Sequence, residues 1–215
     1  MMTINRKKVL ILSPHSDDAE LGAGSYIAKL IEEKYEIFWV VFSTARESVP
    51  IELPPNILSD EFMSVAEELD LRRNQFIIYN YNVRKLHEKR QDVLENLVGI
   101  GNNFKPDIVI GPSLNDYHQD HQVVANEMIR AFKTKCSIIC YELPWNNVKF
   151  ASQMFVKLEE RHIKKKLSLL KKYKSQMIKN RFYFDKEFII GNARVKGTCI
   201  SCKYAESFEV VRWVQ

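Results

Sequence analysis

No stretch of the 215-residue sequence is apolar for long enough to cross a bilayer. The longest runs, Val9-Leu10-Ile11-Leu12 and Ile37-Phe38-Trp39-Val40-Val41-Phe42, have the length of buried strands. Seven glycines and seven prolines are too few for a collagen-like or low-complexity chain. Four cysteines are too few, and too unevenly spaced, for a disulfide framework. The start, Met1 to Lys8, is basic like a leader, but the apolar stretch behind it ends at Ser13-Pro14 after four residues. That is too short for the core of a signal peptide. A soluble, cytoplasmic protein without a transmembrane segment is therefore expected.

Hydrophobic residues make up 46% of the chain and charged residues 27%, a globular balance that excludes wholesale disorder. The cysteines fall in pairs, Cys136 with Cys140 and Cys199 with Cys202. Zinc sites of four thiolates need their pairs on tight turns. Here Ser137-Ile138-Ile139 and Ile200-Ser201 read as strand, so buried or half-buried free thiols are expected instead. The net charge of +5 is concentrated in residues 157–181, which hold ten Lys or Arg against two Glu. Leu167, Leu170, Tyr173 and Met177 lie at helical spacing within it, so the segment reads as one amphipathic helix with a lysine-rich outer face. A solvated face is the ordinary role for such a helix, and attraction to an anionic partner is the other. Nucleic acid is not expected as that partner.

Strands and helices alternate along the chain. Lys8 to Ser13, Glu36 to Ser43, Gln75 to Tyr79, Asp107 to Gly111 and Ser137 to Glu142 read as strands. Glu20 to Lys34, a segment capped by Ser59-Asp60-Glu61, Val83 to Asn102 and Asp120 to Lys133 read as the helices between them. Such alternation implies right-handed βαβ units and an α/β, Rossmann-like doubly wound sheet, mainly parallel with helices on both faces. The last third is less regular, with short strands expected near Phe188-Ile189-Ile190 and from Phe208 to Val214. It reads as a C-terminal elaboration of one domain spanning residues 1–215.

Two short stretches carry most of the candidate chemistry. Ser13-Pro14-His15-Ser16-Asp17-Asp18-Ala19-Glu20 follows the first strand, and Asn115-Asp116-Tyr117-His118-Gln119-Asp120-His121 follows the fourth. In a doubly wound sheet those strands flank the crevice where strand order reverses, and sites form there. Two imidazoles and one carboxylate with an open position suit a catalytic divalent ion. His15 and Asp18 are three apart on a turn entering a helix, and His121 can complete the set from the opposite loop. An ion held there would make water acidic and polarise a carbonyl. Asp17 is placed to take the water's proton. His118, if protonated, could stabilise an oxyanion or protonate a leaving amine, and Asp120 could orient a histidine ring. His87 and His162 sit in charged helical contexts and read as surface residues.

The stretch Pro14-His15-Ser16-Asp17-Asp18-Ala19-Glu20-Leu21-Gly22, with His118-x-Asp120-His121 downstream, resembles the PIG-L/LmbE-like N-deacetylase family. The resemblance extends from residue 7 to about 214 and includes Tyr204-Ala205-Glu206-x-Phe208. It implies a hydrolase that uses zinc, or Fe2+ or another divalent ion, to remove the N-acetyl group from a small-molecule N-acetylglucosamine-type conjugate. It implies His15, Asp18 and His121 as metal ligands, Asp17 as general base, and His118 as the electrostatic or acid residue with Asp120 behind it. Ser16 stands where relatives more often have Pro, and Ser13 where they have a small apolar residue. Some relatives have a Tyr where Asp116 stands here, so that tyrosine's role is not carried over. Thr44-Ala45-Arg46-Glu47 resembles the family loop near the sugar. Arg46 there could bind a phosphate or carboxylate on the aglycone, or simply pair with an acid such as Glu47.

Other readings fit the same residues less well. Gly22-Ala23-Gly24 begins a dinucleotide fingerprint, but Ile27 stands at its third glycine, so tight helix packing is the better account of the pair. A phospho-receiver module also places an acidic pair after its first strand, to hold magnesium. It needs a phosphate-accepting Asp at the end of its third strand, where this sequence has Tyr79-Asn80-Tyr81. A hydrolase acting on a different amide is the remaining alternative.

Overall fold

The computed structural model describes residues 6–214. Strand β1 (Lys8–His15) leads through a two-residue turn into helix α1 (Asp18–Glu32), and β2 (Glu36–Ser43) follows. Next come α2 (Ile57–Glu68), β3 (Phe76–Ile78), α3 (Arg90–Phe104), β4 (Ile108–Pro112), α4 (Gln119–Phe132) and β5 (Ser137–Tyr141). The strands assemble in the order β3-β2-β1-β4-β5, all parallel. Order reverses between β1 and β4, as the alternating pattern implies.

Side chains within β1 show why both faces are covered. Val9 and Ile11 enter the core that contains α1 and α2, while Leu10 and Leu12 enter the core beneath α3 and α4. All four are fully buried, as period-two alternation in a sheet sandwiched by helices requires. Gly22 lets α1 lie directly on β5, because a Cβ there would fall 2.6 Å from Cγ of Tyr141. The Tyr141 hydroxyl crosses the layer to donate to the Leu12 carbonyl at 3.1 Å. Close packing is thus one job of the glycine pair that resembles a nucleotide fingerprint. Among the described residues, no helix is long and apolar enough to cross a membrane.

The last third departs from expectation. Residues 157–181 are not one helix: β6 (Met154–Leu158), α5 (Glu160–Leu170) and the single turn α6 (Lys174–Met177) divide them. Strand β6 pairs antiparallel with β7 (Tyr204–Arg212), and β7 pairs antiparallel with β5, which extends the sheet to seven strands. Val156 and Leu158 are buried on either side of exposed Lys157, a strand alternation that the helical leucine spacing nearby obscures. Phe188-Ile189-Ile190 belongs not to a strand but to helix α7 (Lys186–Thr198). Ile189, Ala193 and Gly197, four apart, form its buried stripe. A Cβ on Gly197 would fall 2.9 Å from the Tyr204 nitrogen, so glycine permits this helix to dock on the start of β7.

Smaller differences follow from local contacts. Helix α2 starts at Ile57, ahead of the Ser59-Asp60-Glu61 cap, because its Ile57 N–H already bonds the Pro54 carbonyl at 3.0 Å. Ile200-Ser201 lies in the turn after α7, and Cys199 is exposed and Cys202 half-buried there, while Cys136 and Cys140 lie in the core. His162 is buried, unlike exposed His87: its Nδ1 accepts the Glu159 N–H at 3.0 Å and its Nε2 meets Glu32 at 3.0 Å. It closes the N-terminus of α5 against α1.

Candidate metal centre and catalytic cleft

His15 ends β1 and Asp18 begins α1, so the two-residue turn between them carries Ser16 and Asp17 over the carboxyl edge of the sheet. His118 caps α4, and His121 lies in its first turn. Adjacent strands β1 and β4 bring these segments together. Three atoms then converge: Asp18 Oδ2 lies 3.1 Å from His15 Nδ1 and 3.1 Å from His121 Nε2, and the two nitrogens are 3.2 Å apart.

The other nitrogen of each ring has a partner. His15 Nε2 is 3.0 Å from Asp120 Oδ2, and His121 Nδ1 is 2.7 Å from Asp116 Oδ2. An ionised carboxylate only accepts, so these outer nitrogens carry the protons and donate. Neutral rings would then aim bare lone pairs at one another and at the Asp18 oxygen. Such an arrangement needs a positive charge in the middle. Ligand atoms around a tetrahedral ion are about 3.3 Å apart for bonds of about 2.0–2.1 Å, close to the separations here. The donor set therefore fits a divalent ion. The three histidines also come within 4.8 Å of one another. The triangle that includes Asp18 is tighter, and its two rings are both held by outer carboxylates.

Electrostatics point the same way. Burial pulls His15 and His121 down, but the Asp18 charge and carboxylate hydrogen bonds outweigh it and raise them to about 9 and about 10. Burial alone would raise Asp18, yet the His121 and His15 charges hold it far below the usual carboxylate range. The centre thus demands cationic charge, which protons or an ion supply. Asp17 behaves oppositely. Burial, reinforced by neighbouring Asp18, lifts it to about 6.

His118 is poised as a neutral ring, which favours the electrostatic of the two roles the sequence leaves open for it over the acid one. Burial, then the His121 and His15 charges, lower it to about 4. Its Nδ1 accepts the backbone N–H of Asp120 at 3.2 Å, so the neutral ring carries its proton on Nε2. The Asp120 carboxylate does not stand behind His118. It serves His15 and accepts the Arg84 N–H at 2.6 Å and the Leu86 N–H at 3.3 Å. Asp116 is the residue that sequence reasoning left without a role: 1% exposed, it holds His121 and also accepts the His118 N–H at 2.8 Å. Its place between strand β4 and the histidines was the available signal.

A cleft of about 290 Å³ opens above the centre, with His15, Asp17, Asp18, His118 and His121 in its floor. Arg46 is exposed on a one-turn 3-10 helix, makes no ion pair with Glu47 among the described residues, and does not line the cleft, although neighbours Ala45 and Ser48 do. Instead Arg84, Lys179 and Arg181 supply its cations, and Trp145 and Tyr183 its aromatic wall. Lys179 and Arg181 end the basic segment, whose charge excess was the only sequence sign of them. No acid follows β3, and Asp18 is engaged with two histidines, so a phospho-receiver arrangement does not form.

The chain is similar to known proteins over most of its length. An uncharacterized deacetylase of Escherichia coli (strain K12), YaiS, is 30% identical over 175 residues, covering 79% of this chain and 92% of that protein. N,N'-diacetylchitobiose deacetylase from Pyrococcus horikoshii shares the fold with a TM-score of 0.76, at 21% identity over 96% of this chain and 84% of that one. GalB, the 4-carboxy-2-hydroxymuconate hydratase of Pseudomonas putida KT2440, also has a TM-score of 0.76, at 18% identity over 97% and 98% of the two chains. One fold thus serves more than one chemistry. The family model described as GlcNAc-PI de-N-acetylase matches residues 10–132, more than half of the sequence and both ligand-bearing stretches, and the chain belongs to that family, PIG-L.

Proposed function

We propose that the protein is a metal-dependent N-deacetylase that hydrolyses the N-acetyl group of an N-acetylglucosamine-type conjugate. The reading is carried by the convergence of His15 Nδ1, Asp18 Oδ2 and His121 Nε2 beside a free carboxylate, Asp17. Those three side chains would hold zinc, or Fe2+ or another divalent ion. The ion, when bound, acidifies water and polarises an amide carbonyl.

The chain's own groups do the rest. Asp17, raised to about 6, is ionised at neutral pH yet basic enough to accept a proton from the attacking water at its carboxylate oxygen. It then delivers that proton to the amine nitrogen as the C–N bond breaks, leaving acetate and free amine. His118 donates from Nε2 to the acetyl oxygen while negative charge develops there, as a neutral donor in a half-buried position. Asp120 and Asp116 keep His15 and His121 in the tautomers whose inner nitrogens would be free to hold an ion.

The test is acetate release from a panel of N-acetylglucosamine derivatives, with and without chelator. Acetate release that chelator abolishes and zinc restores is the expected result. No acetate from any member, with zinc or Fe2+ supplied, would overturn the reading. The hydratase that shares the fold supplies a second reading, water addition to an unsaturated carboxylic acid, which the cleft's cations also suit. Loss of ultraviolet absorbance by such an acid, without acetate production, would favour it.

A further inference from the structure

The family match ends at Phe132, but part of the cleft wall comes from the later turn α6, whose Gln176 lines it. A chain of polar groups fixes that side chain. Glu61 in α2 and Ser175 are both buried, and Gln176 is only 4% exposed. Glu61 accepts the Ser175 backbone N–H at 2.8 Å and the Ser175 hydroxyl at 2.6 Å. A serine hydroxyl has one proton, and here the carboxylate takes it, so Ser175 Oγ can only accept from its other neighbour. That neighbour is Gln176 Nε2, at 3.1 Å. The reversed amide would set the glutamine oxygen against the Ser175 lone pairs. The amide nitrogen is therefore held toward Ser175.

The consequence lies at the other end of the amide. Gln176 Oε1 has no hydrogen-bond partner among the described residues, and the small surface the residue retains opens on the cleft. A polar side chain this buried is ordinarily satisfied. The cations of the same wall have acids at hand: Arg181 is coupled to the Asp17 charge, and Lys179 to those of Asp17 and Glu61. Neither bonds the amide. Gln176 thus presents a lone acceptor of fixed direction to whatever fills the cleft. A group that satisfies it must donate, as a hydroxyl does and an oxyanion does not.

We infer that Gln176 is a specificity-determining residue whose amide oxygen accepts a hydrogen bond from a hydroxyl of the bound amino sugar. Ser175 and Glu61 are positioning residues, which act only by holding the amide the right way round. This deepens the deacetylase reading and rests on it.

Calorimetric titration of the zinc-loaded protein with methyl glucosaminide and its monodeoxy counterparts, each lacking one sugar hydroxyl, reads the contact without turnover. The N-acetylated forms are assayed in parallel for acetate release. One monodeoxy sugar should bind about tenfold more weakly than the parent, the loss expected when a buried acceptor is left without its donor. Gln176→Leu should bring that ratio toward one, and Ser175→Ala should shrink it, because the amide is then free to turn. Lys174→Gln, an exposed neighbour outside the cleft, should leave it unchanged. A residue that only shapes the wall would weaken parent and deoxy sugar alike and keep the wild-type ratio. Wild-type ratios all near one, no binding of the parent, or a preference that persists in folded Gln176→Leu protein would overturn the inference. Should circular dichroism show that variant unfolded, an undiminished preference in Ser175→Ala overturns it instead. Acetate release without hydroxyl preference would sink the Gln176 contact alone. Hydroxyl preference without acetate from any N-acetylated form would sink the deacetylase reading alone.

Discussion

Replacing Asp116 by Asn should cost metal affinity through one proton in the wrong place. The carboxylate accepts two hydrogen bonds from opposite oxygens, from the His118 N–H at 2.8 Å and from His121 Nδ1 at 2.7 Å. An amide of the same shape has one acceptor and one donor end. The His118 backbone can only donate, so the amide oxygen must face it and the amide nitrogen must face His121. The His121 Nδ1 then becomes the acceptor, its proton moves to Nε2, and the lone pair that points at Asp18 and His15 is lost. Restoring the ligand tautomer instead sets N–H against N–H in a site where Asp116 is 1% exposed. Loss of such an outer partner typically weakens metal binding about 10–100-fold, or about 1.4–2.7 kcal/mol. Competition for zinc with a chromophoric chelator measures this directly, with circular dichroism to confirm folding. An affinity within about threefold of wild type in a folded Asp116→Asn protein would refute the tautomer argument.

Other expectations separate the remaining roles. Asp17→Asn should keep zinc binding near wild type while lowering turnover about 10²–10⁴-fold, whereas His15→Ala should lose the metal; near-normal turnover in the first would refute Asp17 as base. Because Asp17 must be ionised to accept a proton and burial beside Asp18 lifts it to about 6, activity should fall as pH drops through that region. A rate independent of pH between about 5 and 8 would contradict this. Hydrogen bonds from Lys165 and Lys172 hold Glu68 down to about 2, so its stabilisation is present above the ordinary carboxylate value of 4.5 and is lost as pH falls through about 2. Glu68→Gln should therefore lower stability at pH 7 modestly, by at most about 1 kcal/mol for so exposed a cluster, read as a small drop in melting temperature, and the gap should narrow in acid. Gly22→Ala should destabilise by roughly 1–3 kcal/mol or more in urea titration, since its Cβ would lie 2.6 Å from Cγ of Tyr141.

The five parallel strands were legible because each is a short apolar run between helical patterns, and their order follows from the handedness of βαβ crossovers. The ligand-bearing loops were legible for the same reason: carboxyl ends of β1 and β4 face one crevice whatever the side chains are. The C-terminal third was not legible. Val156-Lys157-Leu158 lies beside a helical leucine pattern, and Phe188-Ile189-Ile190 is equally apolar as strand or helix, so only pairing with β7 and the close approach at Gly197 choose between them.

Local sequence thus determined which residue types stand at the sheet's carboxyl edge, because the turn after a strand has nowhere else to go. Tertiary structure decided their chemistry. It set Asp116 and Asp120 on the outer nitrogens of His121 and His15, made His118 a neutral donor through one backbone N–H, and placed Lys179 and Arg181 at the cleft in preference to Arg46. Proton positions and local charge depend on distances of about three ångströms between segments a hundred residues apart, and no spacing along the chain encodes those.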